Sequence, residues 1–246
     1  MVVNGLEMFS VWFADYKDQY VLIGGTAAAI ALNEEGMAFR TTKDLDIVLH
    51  LEALTPEFAE TFWGFVQRGG YKIQQESETG HAKLYRFQDP VDDEFPYMLE
   101  LFARTPQLVG FTAGGRLTPI PFDEEISSLS AIILHDEYYQ FVIDGRQTKD
   151  GFPSWIGVDR LIPLKAHAWL DMSDRKEQGE AIDSKKIRKH LSDIEKLSAL
   201  LTPATVVELP TVVAKDMQRF IARVRVGGTE QYGALLERLE RSFVVR

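Results

Sequence analysis

Asp44 and Asp46 stand one residue apart in the stretch Arg40-Thr41-Thr42-Lys43-Asp44-Leu45-Asp46-Ile47-Val48-Leu49. Side chains alternate along a strand, so both carboxylates share one face, about 7 Å apart along the backbone. Leu45 and Ile47 then turn to the opposite, buried side. Two carboxylates so placed converge on one or two divalent cations, which lie about 3.5–4 Å apart in two-metal sites. Upstream, Tyr20-Val21-Leu22-Ile23 runs directly into Gly24-Gly25-Thr26 and an alanine-rich segment. A strand that ends in glycines and passes at once into a helix presents backbone N–H groups to an anion, and glycine lets the backbone approach a phosphate closely. Taken singly, the Asp pair fits any solvated strand end and the glycine pair any strand-to-helix turn. In this order they describe a nucleoside triphosphate held between a glycine turn and Mg²⁺ or Mn²⁺. A third carboxylate completes such a site. Glu100 sits at the centre of the apolar run Pro96-Tyr97-Met98-Leu99-Glu100-Leu101-Phe102, where a charge is costly to bury unless it is paired or binds a cation. The competing role for Glu100 is a salt bridge, with Arg104 or Arg40 as its partner.

These residues need strands and helices in alternation, and the first 125 residues supply the pattern. A helix over 4–16 with Asn4 as its cap, a strand over 20–23 and a helix over 26–32 are expected first. A strand over 45–51 follows. Thr55-Pro56-Glu57 opens a helix that reaches Phe65 and stops at Gly69-Gly70, in the order of cap and then proline. Strands are predicted over 71–75, 82–87 and 97–103, and further short strands and turns over 104–155. Beyond Trp155 the pattern turns helical throughout, with amphipathic helices over 158–172, 184–201, 212–224 and 230–243. Asp183-Ser184 caps the second of these, and Gly227-Gly228 separates the third from the fourth.

Composition narrows the function classes. With 246 residues, 45% hydrophobic and 26% charged, the chain has the make-up of a globular protein of one large or two modest domains. Cysteine is absent, which excludes disulfides, thiolate zinc sites and cysteine nucleophiles. The five histidines, His50, His81, His135, His167 and His190, are too widely spaced for a local metal motif. No apolar run approaches the roughly 20 residues needed to cross a bilayer, and the first residues lack the features of a signal peptide; the expectation is a cytoplasmic protein with no membrane partner. The net charge of −10 is unevenly distributed. Residues 1–150 carry 11 Lys and Arg against 24 Asp and Glu, while residues 151–246 carry 16 against 13. Affinity for nucleic acid comes from clustered cations, so only the C-terminal third offers RNA a face. A solvated helix surface accounts for most of those lysines.

Three blocks, Gly24-Gly25-Thr26-Ala27, Arg40-x-Thr42-x-Asp44-Leu45-Asp46 and Leu99-Glu100-Leu101-Phe102, resemble the nucleotidyltransferase superfamily. Within it the chain is most similar to the AbiEii-type toxins of abortive-infection and type IV toxin–antitoxin systems. The segment from Leu161 to Met172 resembles the helix that carries that family's nucleotide-contacting lysine, here Lys165. Asp183-Ser184-Lys185-Lys186-Ile187-Arg188-Lys189-His190-Leu191-Ser192-Asp193 is similar to its last motif, a basic helix ending in an aspartate. The blocks span about residues 18–200 in the family's order. Two departures stand out: Gly25-Thr26 occupies a turn that often reads Gly-Ser, and His190 stands where an aspartate often follows the lysine. Residues 204–246 match no part of the pattern.

The resemblance implies an α+β protein, with a nucleotidyltransferase-fold mixed sheet flanked by helices over 1–155 and a C-terminal helical domain over 156–246. It implies transfer of a nucleoside monophosphate from an NTP to an acceptor hydroxyl, with release of pyrophosphate. Asp44 and Asp46 would bind Mg²⁺ or Mn²⁺, and Glu100 would complete the metal set and accept the acceptor's proton. Lys165 would neutralise the triphosphate from the edge of its helix, while Gly24, Gly25, Thr26, Arg40 and Asp193 would contact the nucleotide. Lys185, Lys186, Arg188 and Lys189 would receive a tRNA end, and a cognate antitoxin would be a further partner. Two other readings stay open: transfer to a small molecule of aminoglycoside or lincosamide type, and an inactive member that serves as a binding module.

Overall fold

Alternate burial along the strands organises the first half of the chain. The structure, a computed structural model, describes residues 3–50, 52–73, 85–102 and 135–244. It is an α+β protein of two compact units, Met1–Phe122 with Val142–Gly157, and Asp123–Phe141 with Val158–Arg246.

In the first unit the described strands are β1 (Tyr20–Leu22), β2 (Asp44–Leu49), β3 (Lys72–Ile73), β4 (Tyr85–Gln88), β5 (Met98–Phe102), β6 (Arg146–Gln147) and β7 (Trp155–Ile156). They form one mixed sheet in the order β3-β4-β5-β2-β1-β7-β6. β2 runs parallel to β5, with Asp46 opposite Glu100, and antiparallel to β1. β4 lies antiparallel to β5, which sets Arg86 opposite Glu100. Leu45, Ile47, Leu49, Leu99 and Leu101 are buried on one face together with Tyr20 and Phe87. Against that face pack Phe9 of α1 (Leu6–Trp12) and Phe58 and Phe62 of α3 (Pro56–Gly69). Phe9 meets Tyr20 edge-on with ring centres 5.4 Å apart, and Phe62 meets Phe87 in the same way at 5.4 Å. Each such side chain contributes about 1.5–3 kcal/mol by leaving water, so this aromatic layer fixes which way β2 and β5 face. Asp44, Asp46, Glu100 and Arg86 are thereby left on the opposite face.

The helix starts follow local chemistry. The Thr55 hydroxyl accepts from Phe58 N–H at 3.3 Å ahead of Pro56, and Gly70 ends α3 in the left-handed conformation. Asn4 departs from expectation. Its side chain donates to the carbonyls of Asp93 and Phe95, and Gly5 takes the cap position of α1. The helical path ends at Trp12 and resumes as a 3₁₀ turn, Ala14–Tyr16.

The second unit holds α5 (Val158–Glu177), α6 (Ser184–Ser198) and α7 (Thr211–Ser242), with the first residues of α4 (Asp136–Asp144). Asp183 caps α6 by accepting from Lys185 N–H at 2.8 Å. The two helices expected over 212–224 and 230–243 are one run broken at Gly228, whose backbone is non-helical. Three features depart from the sequence reading. Residues 136–144 are helical rather than stranded. α5 continues five residues past Met172. The C-terminal part is not wholly helical, because Val207–Glu208 pairs in parallel with Phe243–Val244 as β8 and β9. The strands expected over 104–134 lie outside the described residues. Asp216 on α7 joins the helices: its Oδ2 accepts from Tyr138 of α4 at 2.8 Å and lies 2.6 Å from His167 Nδ1 of α5. Among the described residues no helix is long and apolar enough to cross a membrane.

Candidate active site

In the first unit the glycine turn, β2 and β5 bring together most of the residues singled out by their chemistry. α2 (Gly24–Glu34) begins at the end of β1, and Gly24 has φ +65°. A Cβ on Gly24 would fall 1.8 Å from Asp46 Oδ2, so the backbone and this carboxylate are in contact that only glycine permits. The Asp46 carboxylate thus lies against the N-terminal end of α2, where the helix dipole favours negative charge. A Cβ on Gly25 would lie 2.9 Å from Thr42 Oγ1 and 3.5 Å from Arg40 Nη2, which sets both residues beside the turn. Thr26 donates its hydroxyl to the Asp44 carbonyl at 2.7 Å, and Ile23 N–H donates to the Asp46 carbonyl at 2.9 Å. These two bonds clamp the turn onto β2. Asp44 and Asp46 are both half-buried, whereas Glu100 is only 3% exposed.

Glu100 lies between a cation and another acid. Arg86 Nε donates to Glu100 Oε1 at 2.6 Å, with Nη2 2.5 Å from the same oxygen. On its other side Glu100 is hydrogen-bonded to Asp46. Burial pushes the Glu100 carboxyl up, the Asp46 charge pushes it further, and Arg86 only partly opposes them, so its pKa rises to about 9. The Glu100 carboxyl is thereby pushed toward its protonated form. The partner is neither Arg40 nor Arg104; Arg104 lies outside the described residues. Among the described residues no three His, Asp or Glu side chains are already gathered as a metal-binding group. Two features nonetheless fit a divalent cation: burial and the neighbouring Asp46 charge raise the Glu100 pKa, a cost that a bound cation would relieve, and Gly24 lacks the Cβ that would fall 1.8 Å from Asp46 Oδ2.

In the second unit, Lys165 of α5 and Asp193 of α6, 28 positions apart in sequence, form an ion pair with Nζ 2.8 Å from Oδ2. Lys165 is 6% exposed and Asp193 2%. The expectation of a lysine at the helix edge is thus corrected. Its ammonium is buried, which is sustainable because the carboxylate meets it there. Two residues that the family pattern names from separate motifs therefore belong to one contact. The cations of α6 behave differently. Lys185 and Arg188 are exposed, and Lys186 and Lys189 are half-buried. All four occupy the first turns of the helix, the end where the macrodipole disfavours positive charge.

Sequence reasoning missed Arg86 and gave Thr42 no role. The signal for Arg86 is a charge between Tyr85 and Phe87 in a strand-like run, the same signal that marked Glu100. No family model, curated protein or solved structure matches this chain.

Proposed function

We propose that this chain transfers a nucleoside monophosphate from an NTP to an acceptor hydroxyl, with RNA as the acceptor, in the manner of the toxin-like nucleotidyltransferases its motifs resemble. The observation that carries the reading is the Gly24 turn seated on Asp46, with Glu100 aligned beside it across the parallel β2–β5 pair. Mg²⁺ or Mn²⁺ held by Asp44, Asp46 and Glu100 would neutralise charge on the phosphoryl oxygens. The backbone N–H groups that open α2 are free of intrahelical partners and bind phosphate. Thr26 keeps that turn in register with Asp44, and Arg40 flanks it. In the reaction the acceptor oxygen bonds to the α-phosphorus, the bridging α–β P–O bond breaks and pyrophosphate leaves. Glu100 completes the carboxylate set. With a cation bound beside it Glu100 would be ionised and would accept the acceptor's proton.

RNA as the acceptor is supported by α6, whose four cations stand at an unfavourable helix end that an anionic partner would relieve. The test is incubation of the protein with each labelled NTP, Mg²⁺ and total tRNA. Label is expected on RNA, and none with Asp46→Asn. Alanine at Lys185, Lys186, Arg188 and Lys189 together is expected to reduce transfer to RNA and to flatten its salt dependence. Label on an aminoglycoside or lincosamide, indifferent to that quadruple change, would install the small-molecule reading. NTP binding without transfer to either acceptor would make the chain a binding module. A toxin role adds one expectation, that co-expression with a cognate antitoxin relieves growth arrest.

A further inference from the structure

The second unit contains an open cavity of about 890 Å³, walled by α5, α6 and α7, that the transfer reading does not use. Its size lies within the roughly 300–1,000 Å³ of small-ligand pockets. Trp169 and Tyr232 line it half-buried, with Ile187 and Leu191 from α6, Arg223 from α7, and Val226, 90% exposed. The Arg223 guanidinium lies over the Trp169 ring, 5.5 Å from its centre, and is held there by Asp174 at 2.5 Å and by Glu177. Planar groups are thus already fixed in a wall that joins aliphatic side chains to Lys176, Glu177 and Arg219.

The position of α6 connects this cavity to the cationic stripe. At about 100° per residue, Ile187 and Leu191 share the cavity side of the helix. Arg188 comes next around the helix, and Lys185 and Lys189 lie beyond it. Moving around the helix from the cavity, one therefore meets apolar side chains, then Arg188, then Lys185, with Lys189 on the opposite face. We propose that the cavity receives an unpaired base of single-stranded RNA whose phosphates track Arg188 and Lys185. Aromatic rings and guanidinium planes stack bases of any identity, and a flanking cationic groove follows the backbone. Lys176 and Arg219 also line the cavity, and this adjacency of stacking surface and cations favours an RNA strand over an apolar peptide. The inference rests on the RNA reading of the acceptor and assigns that acceptor a second point of contact.

The experiment uses the full chain carrying Asp46→Asn, so that binding is read without transfer. Fluorescent pentaribonucleotides, oligo(A) and oligo(U), are titrated by anisotropy, with tryptophan emission recorded in parallel. Both are expected to bind and to quench, and the quench is expected to vanish with Trp169→Phe, which keeps the ring packing. Tyr232→Ala should weaken binding about tenfold. Val226 is exposed, so its replacements leave folding intact: Val226→Glu should weaken binding about tenfold, and Val226→Lys should maintain or strengthen it. Equal weakening by Val226→Glu and Val226→Lys would mean an apolar protein partner and overturn the proposal. So would binding indifferent to Trp169, Tyr232 and Val226, or adenosine monophosphate binding as tightly as the pentamer. Failure of transfer in the parent protein with these binding results intact strikes the catalytic reading alone.

Discussion

Each unit buries charge, and the two do so in opposite ways. In the first, Glu100 is wedged between Arg86 and a second carboxylate, Asp46. In the second, Lys165 meets Asp193 as ammonium to carboxylate. Opposite charges in contact answer each other's desolvation, and such a pair is self-sufficient. Like charges in contact are not: burial first, and then the Asp46 charge, push the Glu100 pKa up to about 9. A buried acid beside a half-buried one asks for a proton or a cation, whereas a matched pair offsets its own charge. That difference leaves the first site with a use for a cation, while in the second the ion pair ties α5 to α6.

The largest expected effect tests the matched pair. Asp193→Ala strands a buried ammonium and should cost about 3–5 kcal/mol, read as a shift in the urea midpoint. Lys165→Met together with Asp193→Leu should recover most of that loss. A single-variant cost below about 1 kcal/mol would remove the contrast between the two sites. Gly24→Ala comes next. It strains a left-handed residue and displaces the Asp46 carboxylate, at about 1–3 kcal/mol, and Mg²⁺ should then no longer raise the thermal midpoint.

The pH dependence sharpens the first site. Glu100 holds its proton up to about pH 9 in the folded chain, against an ordinary value of 4.5. Between those values the folded state binds more protons than the unfolded one. This group's contribution to stability is therefore full below pH 4.5 and is lost as pH rises through 9, at no more than about 1.4 kcal/mol per pH unit. Urea midpoints at pH 5, 7 and 9 should show the decline, and Glu100→Gln should abolish it. A slope unchanged in the variant would place the titration elsewhere. The smallest effect is that of Thr26→Val, which loses one hydrogen bond to the Asp44 carbonyl and about 1 kcal/mol, seen in the thermal midpoint.

What could be read from the sequence was whatever a few neighbouring residues decide. Thr55 ahead of Pro56 and Asp183 ahead of Ser184 are caps because a side chain reaches an N–H two or three residues on. Asp44 and Asp46 share a face because strands alternate, and Gly24-Gly25 mark a turn because other residues resist φ near +65°. The tertiary structure decided everything that depends on register and burial between distant segments. Arg86 became the partner of Glu100 through the antiparallel alignment of β4 on β5, which no local pattern encodes. Lys165 went inward because Asp193, a helix away, lay there to meet it. Residues 136–144, aromatic and β-branched enough to suggest strand, became helix because Tyr138, Tyr139, Phe141 and Val142 bury at helical spacing. Packing outweighs intrinsic propensities of less than about 1 kcal/mol per residue.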